Sequence, residues 1–390
     1  MNFDDPITRL GMNSTKWDGA PDFFGPDAKG ALPMWVADMD FAAPDFLQDA
    51  VKGLMGNAYY GYFHKRDAAL EASAQWMQDR HGWSVDPANS FSTFGLGNAL
   101  ALLMQAMTDP GDHVAIFSPV YHEFAAKIRK GKRNVTEFPL QIVDGIYRMD
   151  FERYETLLTG REKMVLFCSP HNPAGRVWEQ DELNELAAFC DKHDLILVSD
   201  EIHHDLVFPG TTHLPTATAI PQISDKLVML TSASKTFNVA GTRLGAVTIP
   251  DATLRARFAD YYKMMEIQPN LLGYVLTIAA YSKAGAAWVD QLNPYLSENF
   301  AVFSEGVNAI PGVTVMPQAS TYLAWVDFEG TGMSQSEFSD RVLKKAGIVT
   351  TPGAGLGIGG ENFLRFNLGT QRARVEDAVA RLQGAFADLQ

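Results

Sequence analysis

The chain has 390 residues, of which 46% are apolar and 20% charged, with a formal net charge of −14. These proportions exclude a disordered or fibrous chain, and the length suggests two or three domains, or one large domain with a smaller satellite. An acidic chain repels phosphate backbones, so nucleic acid is not an expected partner.

The N-terminus, "MNFDDPITRLG", is polar and acidic and lacks the apolar core of a signal peptide. No run approaches the ~20 apolar residues of a membrane helix. Cys168 and Cys190 are too few for a disulfide framework and have no metal-type spacing. A soluble, cytoplasmic protein is expected.

"LPMWVADMDF" (residues 32–41) precedes the main pattern and is expected to pack with it. In "TFGLGNALALLMQAM" (93–107), Gly95 and Gly97 lead into a predicted helix beginning near Asn98. Free N–H groups at such a helix start attract an anion. Five nearly continuous apolar runs follow: "HVAIFSP" (113–119), "MVLFCSP" (164–170), "LILVSDE" (195–201), "LVMLTSA" (227–233) and "LGAVTIP" (244–250). They read as strands covered on both faces. The basic run "KIRKGKR" (127–133) reads as a solvated helix end. Residues 180–193 read as an amphipathic helix with Leu183, Leu186, Ala187 and Cys190 on one side. After Gly285 come a long helical segment, strand candidates "GVTVMP", "TYLAWVDF" and "NFLRFNLG", and a final helix over 374–389.

This alternation predicts an α/β fold with a mostly parallel central sheet in a large domain (49–285). A smaller α+β domain (286–390) follows, and an N-terminal segment (1–48) packs with it. Ligands of such sheets bind beyond the carboxyl ends of the strands. Residues 118–121, 169–172, 200–203 and 232–235 should therefore line one cleft.

Lys235 lies just past a buried-type strand, where desolvation favours the uncharged, nucleophilic amine. Asp200 ends another such strand, where an unpaired carboxylate is costly. It reads either as a cap of the following turn or as an anion held against a protonated ring nitrogen. Ser232 and Arg243 would add a hydroxyl and a fixed positive charge to an anion at the Gly95–Gly97 turn. Tyr121 offers a flat face to an aromatic ring or to core packing. Asn172, before Pro173, holds its amide out at a strand end. His203 and His204, adjacent on a turn, point different ways, and no third ligand has sensible spacing, so no metal is expected. The glycine-rich stretch 353–360 lacks the lysine of a phosphate loop and reads as a mobile substrate-side loop.

Taken together, these residues resemble the fold-type I pyridoxal 5′-phosphate (PLP) enzymes of the aminotransferase class I/II superfamily. The most specific motifs are similar to the MalY/PatB group of C–S lyases, which act like cystathionine β-lyase. They are "WVADMDF" (35–41), "YGY" (60–62), "SPVY" (118–121), "PHNPAGRVW" (170–178), "SDEIHHD" (199–205) and "SKTFNVAG" (234–241). The resemblance spans nearly the whole chain and implies an aspartate aminotransferase-like fold.

It also implies roles. Lys235 would carry PLP as a Schiff base and then shuttle the substrate proton. Asp200 would pair with the pyridine nitrogen, Asn172 and His203 would face the phenolic oxygen, and Tyr121 would stack on the ring. Leu96 and Gly97, through their N–H groups, would hold the phosphate with Ser232 and Arg243. Tyr62 would reach the phosphate of a neighbouring subunit, which implies a homodimer with shared sites. Arg365 and Ala37 would bind the amino acid substrate. The implied reaction is β-elimination from a cysteine S-conjugate, giving pyruvate, ammonia and a thiol. Transamination is the alternative, favoured by Arg243, which aminotransferases carry at this position. A third reading is a regulatory protein that keeps PLP without turnover.

Overall fold

The structure, a computed structural model, describes residues 2–64 and 66–389. Its centre is a seven-stranded sheet of β1 (Ser90–Thr93), β2 (His113–Ser118), β3 (Asn134–Pro139), β4 (Glu162–Cys168), β5 (Ile196–Asp200), β6 (Leu227–Thr231) and β7 (Gly245–Thr248). Their spatial order is β1-β7-β6-β5-β4-β2-β3. β2 to β6 pair in parallel, and the apolar runs are buried on both faces, as every residue of β6 shows. β7 departs from its neighbours and runs antiparallel to both β6 and β1. The reason lies in residues 232–244, which contain only a short 3-10 turn, Ala240–Thr242. A parallel return needs a longer crossover, usually a helix.

The predicted amphipathic helix forms over Gln180–Lys192. Its start is fixed by a capping box between Glu179 and Glu182, which satisfies two otherwise orphaned donors. Helix Leu96–Met107 begins two residues before Asn98 because Gly95, at φ 78°, supplies its N-cap in a conformation that favours glycine. Gly245 allows that helix to approach the sheet, since a Cβ there would sit 2.5 Å from Leu96 Cδ2.

The basic run divides. Lys127, Arg129 and Lys130 occupy the last turn of helix Glu123–Lys130. Arg133 is buried instead, and donates to the carbonyls of Met104 and Thr108 at 3.2 and 2.6 Å. It caps the C-terminal end of helix Leu96–Met107, where a cation complements the helix dipole.

A second, antiparallel sheet follows: β8 (Thr314–Val315), β9 (Leu323–Asp327), β10 (Thr351–Pro352) and β11 (Phe363–Asn367), in the order β8-β9-β11-β10. Helices Lys283–Asn308 and Arg372–Ala385 cover it through a core that includes Phe303, Val307, Phe366 and Leu382. A short N-terminal strand, Leu32–Pro33, pairs in parallel with Ile348–Val349. The glycine-rich stretch 353–360 is docked rather than free. Val120 N–H donates to the Leu356 carbonyl at 2.9 Å, and Ile358 N–H to the Glu137 carboxylate at 3.0 Å. No helix among the described residues is long and apolar enough to cross a membrane.

Candidate active site

The parallel strands β2, β4, β5 and β6 end at Ser118, Cys168, Asp200 and Thr231, so these residues share one edge of the sheet. The antiparallel β7 starts at that edge and β1 finishes there, which brings Arg243 and the 93–97 turn alongside.

Asp200 is buried, and among the described residues it accepts from the Ile202 N–H at 3.2 Å. Burial pushes its carboxyl up to about 7, against the Ile202 bond and the nearby Lys235 charge. Lys235 donates from Nζ to the Ala37 carbonyl at 2.7 Å. Burial lowers its amine to about 8; Asp38 opposes that shift and Arg365 adds to it. Such an amine has an appreciable uncharged fraction near neutral pH, as proton transfer requires.

Ala37 belongs to a stapled roof over the lysine. Its carbonyl also accepts from the Tyr322 hydroxyl at 3.0 Å. Asn238, three residues past Lys235, clamps Met39 by accepting from its N–H at 2.8 Å and donating to its carbonyl at 2.7 Å. Asn367 donates to the carbonyls of Val36 and Asp38 at 2.5 and 2.6 Å. Arg9 grips the Asp38 carboxylate with two bonds of 2.9 and 2.7 Å. Residues from both ends of the chain and from the lysine segment thus fix one carbonyl.

Arg365, on β11, is buried and donates to Asn172 Oδ1 at 2.9 Å, the Trp35 carbonyl at 3.0 Å and Thr351 Oγ1 at 3.1 Å. Burial lowers its guanidinium to about 10. Its Nε has no hydrogen-bond partner among the described residues. Asn172 commits its oxygen to Arg365, which leaves its NH2 group to donate elsewhere. His203 is buried with an unpartnered Nδ1, edge-on to Tyr322 at 6.2 Å. Burial, reinforced by the charges of Lys235 and Arg365, holds it well below the usual range, so the imidazole is neutral.

At the glycine turn, Leu96 and Gly97 form the first helical turn, with N–H groups that no preceding turn can satisfy. The Arg243 backbone passes beside Gly95, and its side chain is exposed. The Ser232 hydroxyl is otherwise engaged: it donates to the Leu244 carbonyl at 2.6 Å and contacts Ser234 Oγ at 2.7 Å. It must rotate to serve an anion. Tyr121 is half-buried at the cleft, packed edge-on to His122 and Phe124. Tyr62 stands apart, 91% exposed in a loop with the exposed Tyr59 and Tyr60.

The adjacent histidines diverge: His203 faces Lys235 and Tyr322, whereas His204 faces Asp205. Sequence spacing offers no third ligand beside His204. The fold brings His81 to it from the end of helix Asp67–His81, a placement that sequence spacing cannot reveal.

The "Aminotransferase class I and II" family model matches residues 42–382. The chain belongs to this family. It is 38% identical to cystathionine beta-lyase PatB of Bacillus subtilis (strain 168), over 99% of this chain and 100% of that protein. It is 30% identical to protein MalY of Escherichia coli (strain K12), over 98% of each. Among solved structures, cystalysin from Treponema denticola, which contains a pyridoxal 5′-phosphate cofactor, superposes with a TM-score of 0.94. That match has 32% identity over 100% of this chain and 99% of the other. The aspartate aminotransferase-like architecture expected from the motifs is thus the observed one.

Proposed function

We propose that this chain is a PLP-dependent C–S lyase that converts a cysteine S-conjugate and water into a thiol, pyruvate and ammonia. The observation that carries this reading is its full-length identity of 38% with a cystathionine β-lyase. The cleft suits the cofactor. It gathers a buried carboxylate short of partners, an orphaned His203 nitrogen, a spare Asn172 amide and a helix N-terminus beside an exposed arginine.

When bound, PLP supplies an electron sink for negative charge at the substrate α-carbon. The chain supplies the rest. Asp200 would keep the ring nitrogen protonated, and Asn172 and His203 would face the phenolic oxygen. Tyr121 covers the ring. Leu96, Gly97, Ser232 and Arg243 hold the phosphate. Arg365 takes the α-carboxylate, for which its buried Nε is a free donor. Lys235 would hold the cofactor covalently, and its amine would take the substrate α-proton. The Ala37 carbonyl, 2.7 Å from Nζ, gives the released amine a fixed acceptor. The thiolate then departs from the β-carbon.

Tyr62, 91% exposed, would complete the phosphate site of a second copy, so the working unit would be a homodimer. The division at 1–48, 49–285 and 286–390 belongs to the same proposal, as does a cytoplasmic location. Transamination remains the second reading, on the strength of Arg243. One assay separates the two: purified enzyme with cystathionine, with and without 2-oxoglutarate. Pyruvate and ammonia formed without the oxo acid support the lyase. Turnover that requires the oxo acid overturns it.

A further inference from the structure

A second buried polar cluster adjoins the lysine segment through Thr236, and the proposed reaction makes no use of it. Asp205 is buried and accepts from Trp76 Nε1 and Thr236 Oγ1, each at 2.9 Å. His81 Nε2 lies 2.8 Å from its Oδ1. His204 is fully buried, and its Nδ1 lies 2.5 Å from the Glu201 carbonyl. A carbonyl only accepts, so the proton sits on Nδ1. His204 Nε2 then lies 3.2 Å from Asp205 Oδ2, yet without hydrogen-bond geometry to any described residue. Burial disfavours a charge on His204, but the Asp205 carboxylate outweighs it and raises the imidazole, so the gap between the two takes a cation: a proton, or a metal ion in its place.

We propose that His81, His204 and Asp205 form a site for a divalent transition-metal ion of the zinc type. One ligand atom from each lies within 4.8 Å of the others. Two imidazoles and a carboxylate suit zinc-like ions better than calcium or magnesium, which prefer all-oxygen shells. The outer contacts are those that orient metal ligands: a backbone carbonyl on the distal nitrogen of His204, and Trp76 and Thr236 on the carboxylate. Glu201 stays out of the shell because it is committed to His213 at 2.9 Å and to the Thr216 N–H at 2.8 Å.

Access comes from the His81 side, whose side chain is 9% exposed while the other two are sealed. Water can complete the coordination there. The ion would tie the end of helix Asp67–His81 to the turn after β5, and through Thr236 to the lysine segment. Its role is to brace the back of the cleft, and no step of the reaction passes through it.

The test uses the purified, PLP-loaded protein, stripped of adventitious metal with a chelator and titrated calorimetrically with Zn²⁺. One equivalent should bind per chain and raise Tm. His204→Gln and His81→Gln should each weaken binding by at least about tenfold and remove the Tm gain. A wild-type crystal grown with Zn²⁺ should give an anomalous peak between the three side chains, which decides the matter even where a variant misfolds. The proposal is overturned if wild type binds no stoichiometric zinc, if His204→Gln leaves the affinity unchanged, or if the peak lies elsewhere. A proton shared by His204 and Asp205 would then account for the cluster.

Discussion

Asp40 and Asp200 are both buried carboxylates, and the fold treats them in opposite ways. Asp40 accepts from Arg9 at 2.8 Å, Lys16 at 2.8 Å and Trp17 at 2.9 Å. Burial pushes its carboxyl up, but the Lys16 ammonium and its other partners hold it below the usual range. Among the described residues Asp200 accepts from one backbone N–H, and burial prevails. A buried charge that the chain satisfies by itself holds structure together. One that it leaves short of partners sits where a ligand belongs. The roof and the cleft floor show this difference on either side of Lys235.

The sharpest test of the floor is Lys235→Ala. Loss of the amine proposed to transfer the proton should lower turnover by roughly 10⁴-fold with the fold intact. Borohydride reduction of the wild type should fix the cofactor to Lys235, as read by mass spectrometry; a label on another lysine would sink the assignment. The roof is tested by Asp40→Ala. That change strands the fully buried Lys16 without its carboxylate. It should cost about 3–5 kcal/mol of stability by urea unfolding. A loss below 1 kcal/mol would mean that the pairing is not structural.

How far these regions could be read from sequence follows from what each depends on. The floor was legible because strand-end polar residues directly follow continuous apolar runs, as in "LILVSDE" and "LVMLTSASK". The roof was not. Asn238 and Asn367 act on backbone carbonyls 199 and 329 residues or more away, and periodicity carries no trace of such contacts. Tyr322 sits in "TYLAW", where it reads only as strand, although its hydroxyl reaches Ala37. The direction of β7 was hidden for a related reason. Its apolar run is the same whether the neighbouring strand is parallel or antiparallel, and only the length and content of the connection decide.

A prediction of intermediate size inverts the usual cost of mutating a buried residue. The Asp200 carboxyl is raised in the fold from 3.8 to about 7, so the folded chain holds that proton more tightly than the unfolded chain. Ionising it therefore costs stability. The cost is absent below the unfolded value, grows as pH rises towards 7 and is constant above it. In the cofactor-free chain, Asp200→Asn should raise stability at pH 8 by on the order of 2 kcal/mol and leave it unchanged near pH 3.5. Adding PLP should reverse the order, because in the proposed site only a carboxylate would pair with a protonated ring nitrogen. Thermal melts at both pH values, with and without PLP, measure this. A destabilised Asp200→Asn at pH 8 without cofactor would show that the carboxylate has partners after all.

The smallest effect joins the two regions. Tyr322 and Lys235 share the Ala37 carbonyl as donors at 3.0 and 2.7 Å. An oxygen that accepts two hydrogen bonds offers less to each, so the tyrosine weakens the bond that favours the charged amine. Tyr322→Phe should therefore raise the Lys235 pKa above its value of about 8, by less than about one unit, in line with a single hydrogen bond. The pH dependence of Lys235 acylation in the cofactor-free chain reads this directly. A fall in pKa would instead mean that the tyrosine holds the carbonyl in place for the lysine, and that the roof positions the amine rather than competing for its acceptor.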